Sequence, residues 1–181
     1  YNWSLVGHSM GGGTVAAMSM ERPTGVYRGI LVAGALFENN PSYVSKLMEV
    51  YPPLKRWGMV LFERYVDENR INNFLSSAYG RNPSDDEVIG YLEPLLYSPN
   101  NNYVIDVLST AKNEDINKLK NTDISFHGIW GEFDSWVPLG AGMRIKGIIE
   151  GFDLKMINGA YHCPMETHYI EFNSILLEIL E

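Results

Sequence analysis

The chain has 181 residues, a formal net charge of −8 and a pI of about 5.0, a balance that argues against a nucleic-acid groove or an anionic membrane surface as its partner. Hydrophobic residues make up 45%, enough for one domain with a real core and too many for a disordered chain. The single cysteine, Cys163, excludes an intrachain disulfide, and no uninterrupted apolar run is long enough to span a bilayer.

In chain order, the first apolar run, at about 3–7, is continuous rather than alternating, which predicts a strand buried on both faces. It runs into Gly7-His8-Ser9-Met10-Gly11-Gly12, and a short Ala- and Met-rich helix is expected over Thr14–Met20. A second strand is expected at about 28–36. From Glu38 to Leu119 the rhythm changes and no convincing strand is present. Helices are expected over 43–51, 54–66 and 71–79. Ser84-Asp85-Asp86-Glu87 has the pattern of a capping box opening a fourth, and Asn102 caps a fifth over 103–111. Pro52, Pro53, Pro83, Pro94 and Pro99 punctuate the boundaries, and Pro94 is expected to kink or end its helix.

After this stretch a third strand is expected at about 123–130, a helix at 140–149 and a fourth strand at about 152–157. A closing helix then runs over 164–180, with Ile170, Phe172, Ile175, Leu176 and Ile179 on its inner side. Strands alternating with helices predict an α/β layered fold with a parallel sheet and right-handed crossovers. Residues 1–37 and 120–181 form its core, and residues 38–119 form an all-helical lid inserted over the carboxyl ends of the strands.

The chemistry-bearing residues sit where strands end. Ser9 is in a G-x-S-x-G turn between a strand and a helix, a turn that forces its backbone into strain and raises its hydroxyl above the sheet. The glycines at 7 and 11 are expected because a β-carbon at either would collide with the neighbouring strand or helix. Asp134 lies on the loop after the third strand, in Trp130-Gly131-Glu132-Phe133-Asp134-Ser135-Trp136-Val137-Pro138. His162 lies on the loop after the fourth, in Tyr161-His162-Cys163-Pro164-Met165-Glu166.

These three segments, in the order Ser, Asp, His, resemble the α/β-hydrolase superfamily, specifically its lidded, esterase-like serine members. The resemblance touches nearly the whole chain. It implies Ser9 as nucleophile, His162 as general base, Asp134 as the acid that fixes the His tautomer, and the Met10 backbone N–H as one oxyanion-hole donor. No metal and no organic cofactor is implied. The superfamily has several strands and a helix, with a His-Gly oxyanion loop, before its nucleophile turn. The chain is therefore read as the C-terminal part of a longer protein, completed by its N-terminal remainder or a partner chain. Alone, it is expected to show a bare apolar strand edge.

The expected reaction is hydrolysis of a small or medium carboxylic ester through an acyl-enzyme. The alternatives are C–C bond, lactone or amide hydrolysis on the same triad, or a receptor-like homologue that keeps the triad and captures ligand under the lid. A Ser at the turn disfavours the haloalkane dehalogenase and epoxide hydrolase branches, which use Asp there. The partner is a small ester-like molecule, with no nucleic acid, and the location is read as cytoplasmic.

Rival residues have simpler readings. A phosphate-binding Walker loop would need a Lys after its last Gly, and the Gly11-Gly12-Gly13 run is out of register for a dinucleotide fingerprint. His8 occupies the motif's free position, with its side chain expected to point away from the triad. His127 reads as a half-buried strand residue and His168 as a helix residue. Glu132 and Asp153 read as strand-end or surface charges, and Cys163 as a small packing residue rather than a redox switch. Leu36, Phe37 and Val137, beside strand ends, are expected to line the substrate pocket. The aromatic residues of 38–119, Phe74, Tyr79 and Tyr91 among them, are expected mostly to form the lid's own core.

Overall fold

A computed structural model describes residues 2–36, 66–97 and 115–181. The helices expected over 43–51, 54–66 and 103–111 lie outside these residues, apart from Val66, as does Phe37. The chain divides into two compact units. The first comprises residues 1–37, 78–80 and 113–181, and the second residues 38–77 and 81–112.

The first unit is built on one sheet of four parallel strands: β1 (Trp3–His8), β2 (Val26–Val32), β3 (Ser125–Gly131) and β4 (Asp153–Ile157), in that spatial order. Helix α1 (Met10–Met20) connects β1 to β2, and the helix spanning Leu139–Ile148 connects β3 to β4. The sheet is covered on both faces over β2 and β3, whereas β1, expected to be buried on both faces, leaves Trp3 and Val6 exposed. Leu31, Phe126 and Trp130 share one core with Val15 and Ala16 of α1 and with Ile145. Ile30, Val32, Ile129 and Ile157 share the other with Phe172 and Ile179 of the closing helix. Successive residues of β2 thus feed opposite cores, as the pleat requires. Placing both crossover helices on one face is what crossovers of a single hand demand when each strand is laid beside the last.

Element boundaries differ from expectation in instructive ways. β2 ends at Val32 rather than residue 36, because Ala33 turns with a φ of 46° while donating its N–H to the Ile129 carbonyl. The apolar run beyond it is buried without being a strand: Leu36 belongs to the α1-side core. α1 begins at Met10, through the glycine run that favours a later start. The closing helix is two helices, Pro164–Thr167 and Tyr169–Leu180, broken at His168 with φ −129° and ψ 41°. The Thr167 hydroxyl bonds back to the Cys163 carbonyl at 3.0 Å, the kind of back-bond that bends helices. The break rotates Ile170 outward, to 73% exposure, so it is not on the inner side as expected.

In the second unit the described residues are helical. Glu68–Tyr79 forms α2, whose last two residues group with the sheet, and Asp85–Tyr97 forms α3. The capping box is present: the Ser84 N–H donates to Glu87 Oε2 at 2.7 Å and the Glu87 N–H to Ser84 Oγ at 3.3 Å. Arg81 adds a two-pronged contact to the Glu87 carboxylate and, with the Ser84 amide, pulls its pKa down to about 2. Pro94 does not end its helix, which continues to Tyr97. The carbonyl it leaves without a donor is that of Gly90, an exposed residue open to water. Phe74 and Tyr91 are exposed and Tyr79 is buried. Residues 113–119, assigned from the sequence to the helical insertion, group with the sheet, where Ile116 and Leu119 enter the α1-side core. Among the described residues, no helix is long and apolar enough to cross a membrane.

The turn after β1 depends on two close approaches. A β-carbon on Gly7 would lie 2.2 Å from the Gly11 carbonyl oxygen, and one on Gly12 2.7 Å from the Gly34 α-carbon. One on Gly11 would meet nothing within 4 Å, so the second sterically required glycine is Gly12, not Gly11. Gly7→Ala should therefore destabilise the fold by about 1–3 kcal/mol. Gly11→Ala, in a helix with open space, should be neutral or stabilising by up to about 1 kcal/mol. Urea unfolding midpoints of the two variants check the contrast, and equal midpoints would refute it.

Candidate active site

The register of the sheet brings the candidate residues to one edge. His8 pairs with Val32, Val32 with Ile129, and Gly131 with Ile157, so the loops after β1, β3 and β4 leave on the same carboxyl side. Strand spacing of about 4.8 Å still leaves β4 some 14 Å from β1. The chain after β4 closes that gap by folding back over the end of β3. Ala160 accepts the Phe133 N–H at 2.8 Å, and Ile157 accepts the Glu132 N–H at 3.0 Å. Gly131 makes the crossing possible, since a β-carbon there would lie 2.1 Å from the Tyr161 carbonyl oxygen.

This fold-back places His162 against Asp134. The two side chains are buried, with residue exposures of 2% and 4%, and His162 Nδ1 lies 2.8 Å from Asp134 Oδ2. The other carboxylate oxygen, Oδ1, accepts the backbone N–H groups of Trp136 and Val137, each at 2.9 Å. Asp134 thus spends one oxygen on shaping its own loop and one on the imidazole. An ionised carboxylate only accepts, so Nδ1 carries the hydrogen and Nε2 of the neutral ring is left as an acceptor. The His162 ring contacts the rings of His8 and Trp136, with centroid distances of 4.7 and 5.0 Å.

Ser9 stands at the end of β1 with φ 52° and ψ −118°, in a region that costs a non-glycine residue about 1–3 kcal/mol. Its backbone is held from several sides. The Ser9 N–H donates to the Val32 carbonyl, and the Ser9 carbonyl accepts from Gly12 and Ala35, all at 2.9 Å. The side chain makes no capping bond to α1. Met10 is the first residue of α1, so its N–H is among those for which a helix provides no acceptor four residues back.

The remaining candidates have other surroundings. Glu132 accepts the Gly159 N–H at 2.9 Å, and Asp153 lies 3.5 Å from Lys155. His127 Nε2 is 3.1 Å from Ser125 Oγ, and burial, then Arg28, lowers its pKa. His168 sits at the helix break, with Nδ1 3.0 Å from Thr167 Oγ1. Cys163 is buried, and burial pushes its thiol up to about 12, which leaves it protonated and inert. Leu36 is committed to the core, and Val137 packs against the same core while its carbonyl accepts the Trp130 indole N–H at 2.9 Å. The one clear reversal is His8. Its ring does not point away but contacts His162, with Nε2 2.9 Å from the His162 carbonyl oxygen. No spacing rule in a G-x-S-x-G sequence announces this contact, because the partner is far away in the chain.

Neither the known family profiles nor the curated proteins include a match to this sequence. Solved structures do match. A meta-cleavage product hydrolase from Pseudomonas fluorescens superposes with a TM-score of 0.69 at 17% identity, over 99% of this chain and 64% of that one. A bromoperoxidase from Bacillus anthracis gives 0.71 at 21% identity, over 99% and 67%. The chain has the α/β-hydrolase fold. A third α/β-hydrolase structure, a 2-hydroxy-6-oxo-6-phenylhexa-2,4-dienoate hydrolase from a Rhodococcus strain, gives 0.68 at 15% identity, over 98% and 63%. The chain therefore spans about two thirds of the length of these α/β-hydrolase-fold structures.

Burial, followed by the neighbouring His162, lowers the His8 pKa below its ordinary 6.5, although the bond to the His162 carbonyl opposes this. The unfolded chain then takes up a proton that folded His8 resists. Stability should fall as pH drops below about 6.5, and no such contribution should appear above it. Denaturant midpoints at pH about 7.5 and about 5.5 check this. The parent should lose more than His8→Gln, which has no imidazole to protonate, and parallel losses would refute the depressed pKa.

Proposed function

We propose that the intact protein is a serine hydrolase that cleaves a small or medium carboxylic ester through an acyl-enzyme. The observation that carries this reading is the buried 2.8 Å contact between His162 and Asp134 on the strand edge where Ser9 holds its strained turn. In the proposed reaction His162 Nε2 takes the Ser9 Oγ proton as Oγ attacks the ester carbonyl. Asp134 holds Nδ1–H and stabilises the imidazolium. The Met10 N–H, at the positive end of α1, stabilises the oxyanion. The imidazolium returns its proton to the leaving alcohol. Water, deprotonated by the same nitrogen, then attacks the acyl carbonyl, and the imidazolium returns that proton to Ser9 Oγ as the acyl–Oγ bond breaks and the acid leaves.

The domain reading goes with it: the helical insertion, without residues 78–80 and 113–119 that group with the sheet, serves as a lid, and the enzyme works in the cytoplasm. The neighbouring structures include hydrolases of meta-cleavage and dienoate substrates, which keeps C–C bond cleavage on the same triad as the alternative.

A fluorophosphonate probe should label Ser9 in the intact protein, with the site read by peptide mass spectrometry. Labelling elsewhere, or none in active protein, would remove the nucleophile. Ser9→Ala should lower kcat by roughly 10⁴–10⁶-fold. Asp134→Asn, which preserves shape but favours the wrong tautomer, should lower it by about 10³–10⁴-fold with little change in melting temperature. Turnover of p-nitrophenyl esters with no turnover of vinylogous 1,5-diketones favours the ester reading, and the reverse pattern favours C–C cleavage.

A further inference from the structure

We propose that His8, the residue just before Ser9, is a positioning residue that sets the distance between the Ser9 turn and the His162 loop. The inference rests on the reading of Ser9, His162 and Asp134 as one catalytic set. The His8 Nε2–H donates to the His162 carbonyl at 2.9 Å, linking residues 154 positions apart. A carbonyl only accepts, so this bond fixes the neutral ring as the Nε2–H tautomer. The same loop is held at its other end by the His162 N–H, which donates to the Ala78 carbonyl at 2.9 Å. Asp134 holds the ring itself at Nδ1. Of these three bonds, the one from His8 ties the base to the nucleophile's own turn. The others fix His162 relative to Ala78, which groups with the sheet, and to the loop after β3.

The choice of an imidazole for this task has an electrostatic side. The His8 and His162 rings are 4.7 Å apart, too close for both to be cationic without strong repulsion. Burial and the charge of the His162 imidazole favour neutral His8, while the His162 carbonyl and the carboxylates of Asp134 and Glu166 act in the opposite direction. Glu166 is in turn bonded by the Tyr79 hydroxyl. A neutral His8 grips the loop without placing a second positive charge beside the imidazolium that forms on His162.

Misplacing a reacting group by about 1 Å costs about 10²-fold in rate. His8→Ala and His8→Leu should therefore lower kcat for p-nitrophenyl acetate, and the rate of Ser9 phosphonylation, by about 10–100-fold, with KM changed less than about 3-fold. His8→Leu fills the space without a donor and guards against mere loss of packing. His8→Gln keeps an N–H at a similar reach and should recover kcat to within about 3-fold of the parent. Steady-state kinetics, labelling rates and melting temperatures of the intact protein and the three variants test the proposal. Parental kcat in the Leu variant, or a Gln variant no better than Leu at equal melting temperature, overturns it. A parent that neither turns over the ester nor labels at Ser9 overturns the catalytic reading instead, and the positioning role falls with it.

Discussion

Everything at the candidate site depends on strands that run parallel and in register. Because β1, β2, β3 and β4 pair side by side with aligned carboxyl ends, the loops that carry Ser9, Asp134 and His162 emerge on one edge. A slip of one residue in any pair would send its apolar side chains to the wrong face and also rotate its loop away. The two cores enforce the register: Leu31, Phe126 and Trp130 must face α1, while Ile30, Val32 and Ile129 must face the closing helices. Site geometry is in this sense a by-product of burial, and β2, which carries none of the candidate residues, has as much to do with it as the strands that do.

The second requirement is reach, because β4 is the strand farthest from β1. The chain spans that distance by crossing the end of β3, where Gly131 leaves room and Ala160 accepts from Phe133. The crossing buries His162, whose Nδ1 and whose main-chain N–H and carbonyl all need partners there. Asp134, Ala78 and His8 supply them in turn. Asp134 is buried too, but its two oxygens take three N–H donors between them, so its charge is compensated by short, well-directed contacts. The pair is therefore held in place by the same bonds that make its burial tolerable.

Much of this was legible in the sequence. Short apolar-rich runs mark all four strands, and turn-rich segments after three of them mark Ser9, Asp134 and His162, because both signals are local. The capping box at Ser84 and Glu87 was legible for the same reason. What was not legible required knowing a distant neighbour. Which glycine of Gly11-Gly12-Gly13 is sterically needed depends on Gly34. The direction of the His8 ring depends on His162. Leu36 looked like a strand-end residue able to line a pocket, but the turn at Ala33 folds it into the core. The break at His168 hid within a good helical pattern, since a Thr back-bond leaves no mark on periodicity. Pro94 does not end its helix, because an exposed helix lets water take the place of the missing bond.

The positive φ of Ser9 carries a consequence for how such a protein evolves. Glycine adopts that conformation without the penalty that a β-carbon brings. A chain with glycine at position 9 would gain back a conformational cost of about 1–3 kcal/mol, a sizeable part of a typical domain's margin. Thermodynamic stability alone therefore favours erasing the hydroxyl. A serine that persists in that strained turn would have to be retained by something other than folding, and a library screened only for thermal resistance would drift toward glycine there.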